Sequence, residues 1–315
     1  MKNRSKYSGL TAVLAILVLV IVASILAKNW NQILIFPWQI NFIYLFLVVV
    51  FQFISLAMTF WAWQLMVNRL GGYISLLTGI RLYYTSNLTR RLPTIFPQVG
   101  SRLVLYKQAG ISRTSIMNCI LLETVLTIIS GILIFLIFLP FYSTVKHNLV
   151  IPMIITGVIL LLAFLLKPEL LVQLTNYFLA RLKRSGLTQM PNRKDIIIWI
   201  LIYMLAWFFG GISFYFLPRA LAAIQGPGFF DALGITTLST LFSILVLPLP
   251  FSFGVKEITG AALLIPWMPV STAIIITIAY RIILTISDIF WALAASLIPS
   301  KHAHISTDSN DQIQQ

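Results

Sequence analysis

The chain has 315 residues, 59% of them hydrophobic and only 10% charged, with a mean hydropathy of +0.94 and a formal net charge of +14. A soluble domain carries roughly a quarter charged residues, so the composition excludes an ordinary globular domain and indicates an all-α polytopic membrane protein. The single cysteine, Cys119, excludes an intramolecular disulfide or a cysteine-based metal site.

Apolar runs predict spans at about 10–27, 40–67, 115–140, 149–166, 195–217, 230–248 and 270–298. Backbone groups in lipid must bond within their own segment, so these runs are helices. The alternation of an outer-membrane barrel is absent. Lys2, Arg4 and Lys6 precede the first run, and Ile25 spoils a small-x-small cleavage site, so this run is expected to be a retained span. With the N-terminus in the cytoplasm, 17 of the 22 lysines and arginines fall on the inner side and four on the outer side. The basic excess is therefore a topology signal, with no nucleic-acid partner implied. Trp30, Trp38, Trp61, Trp63 and Trp267 fall near predicted span ends, as in an aromatic belt. The segment 169–194 has a leucine-rich face with Arg181, Lys183 and Arg184 at one end, the pattern of an interfacial helix. Residues 1–302 form one membrane domain, and the polar tail 303–315 has no apolar periodicity and is expected to be disordered.

Two segments do not read as ordinary spans. Segment 73–114 mixes apolar residues with Arg81, Arg90, Arg91 and Arg102, and carries the breakers Pro93, Pro97 and Gly100. Near the C-terminus, Pro248, Pro250 and Gly254 precede an apolar run over 258–268 that is too short to span. Both are expected to be broken helices that enter the membrane and return. They also align. Leu92-Pro93 followed by Gly100 and Arg102 matches Leu249-Pro250 followed by Gly254 and Lys256. Glu123 precedes Leu126-Thr127-Ile128 at the same offsets at which Arg281 precedes Leu284-Thr285-Ile286. This predicts an internal repeat with halves around 73–140 and 230–298, both in the same orientation by the charge count.

Glu123, Arg281 and Asp288 lie within predicted spans, where a charge costs roughly 2.5–3.5 kcal/mol at the bilayer centre. Arg281 and Asp288 share a helix face but are too far apart to pair with each other. Glu123 with Arg281, and Asp288 with Arg102 or Arg91, are the expected partners. The structural reading is a set of ion pairs that hold the bundle together. The functional reading is a polar groove for a charged headgroup, lined by Arg90, Arg91, Arg102, Glu123, Lys256, Glu257, Arg281 and Asp288. Arginines beside a broken helix suit phosphate oxygens. Topology alone also accounts for Arg90 and Arg91, and Glu257 also complements a helix N-terminus.

The run YYTSNLTRRLPTIFPQVGSRLVLYKQAGIS, then LLETVL, PLPFSFGVKEITGAALL and AYRIILTISDIFWAL, resembles the lysylphosphatidylglycerol synthase transmembrane family from about Trp61 to Leu297. Matching positions are Leu92, Pro93, Arg102, Glu123, Gly254, Glu257, Tyr280 and Arg281. Thr94 and Thr124 stand where that family usually has glycine and arginine. The resemblance implies a flippase-like protein that moves a lipid across the cytoplasmic membrane, as a stand-alone member without the aminoacyltransferase domain. The implied cargo is an anionic or aminoacylated phospholipid, or a polyprenyl-linked lipid.

No G-x-x-x-x-G-K-[ST] motif occurs, so transport would be gradient-driven or passive, with Glu123, Glu257 and Asp288 as candidate proton carriers. The alternative is a non-catalytic membrane partner of a lipid-modifying or glycosyltransferase enzyme. An integral-membrane glycosyltransferase fits less well. There is no D-x-D pattern, and His147, His302 and His304 have no metal spacing. No catalytic residue, cofactor or metal is expected.

Overall fold

A computed structural model describes residues 38–89, 96–143, 191–222, 226–246 and 254–297, the short helix α1 (Trp30–Ile35) and a few single positions. The longer helices are α2 (Phe42–Leu70), α3 (Leu76–Leu88), α4 (Phe96–Gln108), α5 (Arg113–Phe138), α6 (Arg193–Leu221), α7 (Phe229–Val246), α8 (Val255–Leu264) and α9 (Val270–Ser296). Five of these, α2, α5, α6, α7 and α9, are long and apolar enough to cross a membrane. The chain is therefore an all-α, multi-pass membrane protein. The predicted spans 10–27 and 149–166, the interfacial helix and the polar tail lie essentially outside the described residues.

Short polar side chains set several helix starts. Asn41 Oδ1 accepts from the amides of Ile43 and Tyr44 at 3.0 and 3.2 Å, and Ser112 Oγ accepts from Ser115 N at 3.0 Å. Outward-facing residues such as Phe42, Ile43 and Phe46 on α2, and Ile282, Ile286 and Leu293 on α9, are exposed and apolar, as lipid contact requires.

The centre of the bundle is the antiparallel pair α2 and α6. At one end Arg69 Nε meets Asp195 Oδ2 at 2.9 Å; at the other, Asn41 N donates to Ala220 O at 2.9 Å. Between them Ser55 Oγ donates to Ala206 O at 2.7 Å and Ser213 Oγ to Val48 O at 2.8 Å. Such hydroxyl contacts hold helices together in lipid, where apolar burial supplies little drive.

Each member of the pair starts a series of four helices: long α2, short α3 and α4, long α5; and long α6, intermediate α7, short α8, long α9. Exchanging the series maps packing onto packing. The contact of α5 with α6 becomes that of α9 with α2, and the contact of α5 with α7 becomes that of α9 with α3. Each series has its own core. Trp63, Tyr83, Tyr106, Leu122, Trp199 and Tyr203 belong to the core around α3 to α5. Val48, Phe214, Leu217, Leu264, Ile276 and Tyr280 belong to the core around α7 to α9, at the other end of the α2–α6 pair.

Three sequence expectations change. Because α2 and α6 are antiparallel, the two series run in opposite directions; the charge count had given the two copies one direction. That count treated each predicted span as one crossing and had no information on how the short helices connect them. Gly100 is not a breaker: it lies inside α4, and Pro97 sits in that helix's first turn, where a missing N–H costs nothing. Gly254 does break the chain, with φ +94° just before α8. Pro93, Pro248 and Pro250 lie outside the described residues.

Candidate functional site

Helix α4 carries Arg102 into the interior. A four-residue connection then returns the chain as α5, which carries Glu123. Arg102 is 2% exposed. Its Nη1 pairs with Glu123 Oε2, and its Nη2 donates to Asn87 Oδ1 at 3.1 Å. The guanidinium lies 4.1 Å from the Trp63 ring centroid and 5.0 Å from that of Tyr83, so two aromatic faces flank it. Trp63 is held in turn, its Nε1 donating to Tyr106 OH at 2.6 Å. A charge so placed is tolerated because it is paired, hydrogen-bonded and covered by π-faces.

The second series repeats the geometry with the signs exchanged. Glu257 on the short helix α8 accepts from Arg281 Nη1 on the long helix α9 at 2.8 Å. Here the acid is on the short helix and the base on the long one. Next to Arg281, Tyr280 donates its hydroxyl to Gln52 Oε1 at 3.2 Å and to Gly210 O at 3.3 Å, which ties α9 to the central pair. Lys256 Nζ lies 5.3 Å from the Tyr280 ring centroid.

The expected pairing of Glu123 with Arg281 is therefore wrong, as is that of Asp288 with Arg102. Both of these salt bridges, Arg102–Glu123 and Glu257–Arg281, form inside their own series, between a short helix and the long helix that follows it. The short connections leave little slack for pairing across the bundle. Asp288 is fully buried on α9, within electrostatic reach of Tyr84 on α3. Arg90 and Arg91 lie outside the described residues. Among the described residues no group of histidine, cysteine and acidic side chains is arranged to hold a metal ion.

The sequence reading missed Trp63, Tyr83, Asn87, Tyr106 and Tyr203. Trp63, expected in an interfacial belt, is fully buried. Tyr83 and Asn87 are four apart on α3 and so share a face; that spacing was the one visible signal. Thr124, where a basic residue was to be expected from the resemblance, donates to Ile120 O of its own helix at 2.9 Å. The base that neutralises Glu123 comes from α4 instead.

No curated protein matches the chain. The family described as Lysylphosphatidylglycerol synthase TM region matches residues 10–292, most of the chain, and the protein belongs to that family.

Proposed function

We propose that the protein moves a lipid across the cytoplasmic membrane, its headgroup passing along the polar side chains of α4, α5, α8 and α9 while the acyl chains stay in the surrounding lipid. A membrane-lipid role fits the family. The observation that carries the finer reading is the doubled ion pair, Arg102–Glu123 and Glu257–Arg281. Four charges within an apolar bundle cost several kcal/mol in total unless compensated, and apolar residues of similar size often hold a bundle as well or better. Their presence at equivalent places in two oppositely directed series suits stations for a charged headgroup. Two antiparallel series with short helices also have the form of transporters that work by alternating access. The cargo class is an anionic or aminoacylated phospholipid, or a polyprenyl-linked lipid, with the N-terminus in the cytoplasm.

The test is translocation in liposomes containing the purified full-length protein. Fluorescent phosphatidylglycerol, a cationic aminoacyl lipid and a polyprenyl-phosphate analogue are offered in turn. Wild type should move one of them, and Glu123→Gln and Arg281→Gln should each lose that movement while remaining folded. A folded wild-type protein that moves none of the three defeats the reading.

A further inference from the structure

The hydrogen-bond inventory around Arg102 is lopsided. Among the described residues, Arg102 Nε, Asn87 Nδ2 and Tyr203 OH are buried with no partner. Asn87 is fully buried, and Arg102 and Tyr203 are each 2% exposed. Arg102 and Asn87 are in direct contact through Nη2 and Oδ1. Tyr203 stands on α6 and is buried in the same core as Trp63 and Tyr83, the two rings that flank the Arg102 guanidinium. All three unmet groups offer an N–H or O–H. A buried donor without an acceptor costs roughly 1–3 kcal/mol, so three of them around one guanidinium make a site short of oxygen.

We infer that this is an oxyanion site in its closed form, in which Arg102 Nε, the Asn87 amide and the Tyr203 hydroxyl receive the oxygens of a phosphate group and Glu123 is the internal competitor for the arginine. The inference rests on the lipid-translocation reading and names the group that the first station holds. A guanidinium edge with neighbouring neutral donors fits a tetrahedral phosphate, which accepts several bonds at once. The carboxylate of Glu123 occupies Nη1 in the absence of ligand, so the arginine is never left uncompensated. Its side chain is 15% exposed against 3% for that of Arg102, which makes the carboxylate the partner with room to leave. The donors are sealed, so entry requires α4 to separate from α5. A phosphate brought beside an ionised Glu123 is repelled, and release of that carboxylate from Nη1 belongs to the same step.

The experiment uses the full chain in detergent micelles and three probes: dioctanoyl phosphatidylglycerol, dioctanoylglycerol with the same chains and no phosphate, and inorganic phosphate. Binding is measured at equilibrium and thermal stability in parallel. Phosphatidylglycerol should bind at least about tenfold more tightly than dioctanoylglycerol. Tyr203→Phe, which removes one oxygen, should weaken phosphatidylglycerol by roughly tenfold and at the same time raise the melting temperature of the ligand-free protein, because an unmet donor is gone. Glu123→Gln should bind phosphatidylglycerol as well as or better than wild type, because the competitor has lost its charge. Comparable binding of inorganic phosphate identifies free phosphate as the source of the oxyanion and leaves the site standing. Equal binding of phosphatidylglycerol and dioctanoylglycerol overturns the site. So does a Tyr203→Phe protein that melts lower and binds unchanged, since the hydroxyl would then be structural. Phosphate binding without lipid movement defeats translocation alone; movement without phosphate preference defeats this site alone.

Discussion

The two ion pairs use the same connection and opposite signs, and they differ in how they are housed. Arg102 and Glu123 are closed in by Trp63, Tyr83 and Asn87, with the arginine side chain 3% exposed. Arg281 is 27% and Glu257 13% exposed, with the Tyr280 ring beside Lys256 as the aromatic contact. The contrast lies in the arginines, since Glu123 at 15% is as open as Glu257. Arg281 is partly open where Arg102 is closed in. The difference teaches that the two series share a plan without sharing energetics: one buries its arginine, while the other leaves its arginine within reach of the surroundings.

The largest expected effect tests that contrast directly. Arg102→Met leaves Glu123 without its buried partner and should lower stability by about 3–5 kcal/mol, while Arg281→Met should cost roughly half of that or less. Equilibrium unfolding of both variants in mild detergent measures the gap, and equal losses would erase the distinction between the two housings. A middle-sized effect compares how each series enters its short helices. At Gly79 an added Cβ would lie 1.9 Å from Gln64 Oε1, which forces Gln64 off the Ile74 carbonyl that it reaches at 2.8 Å. Gly79→Ala should cost about 1–3 kcal/mol through crowding. Gly254→Ala should cost about 1–2 kcal/mol through its backbone instead, since φ is +94°. Shortening Gln64 to alanine should rescue the first and not the second, read as the change in melting temperature. The smallest effect sharpens the reading of α4: Gly100 has open space around its missing Cβ, so Gly100→Ala should raise stability by about 0.5–1 kcal/mol. A loss there would show that the close approach of another group, rather than helix propensity, decides the residue.

The long apolar runs were enough to place the helices. Runs 40–67, 115–140, 195–217 and 270–298 became Phe42–Leu70, Arg113–Phe138, Arg193–Leu221 and Val270–Ser296. Length and hydropathy act locally, so they are legible locally. The shortness of the run after Gly254 was legible for the same reason, and it became the ten-residue α8. The partners of the charges were not legible, because a pairing depends on which helix turns back on which. Sequence alignment set Glu123 against Arg281 as equivalents, and that equivalence is one reason they do not meet: they stand on corresponding helices of different series. Trp63 was lost for a related reason. Six residues from Arg69, it sits where a belt tryptophan is common, and only the return of α4 toward α2, with Tyr106 and Arg102 on the tryptophan, turns it inward. Gly100 was misread because glycine marks a turn and tolerates a helix equally well.

The antiparallel pair at the centre has a further consequence. Each of its helices has 29 residues, or roughly 44 Å at 1.5 Å per residue, against a hydrocarbon thickness of about 30 Å. They are joined at both ends and stitched between, so neither can shorten, slide or tilt alone. A mismatch with the bilayer must be met by tilting the two as one body or by deforming the lipid around them. The pair thus acts as a fixed-length strut. Membrane thickness becomes a mechanical input to the protein, felt where α3 and α7 attach to its flanks.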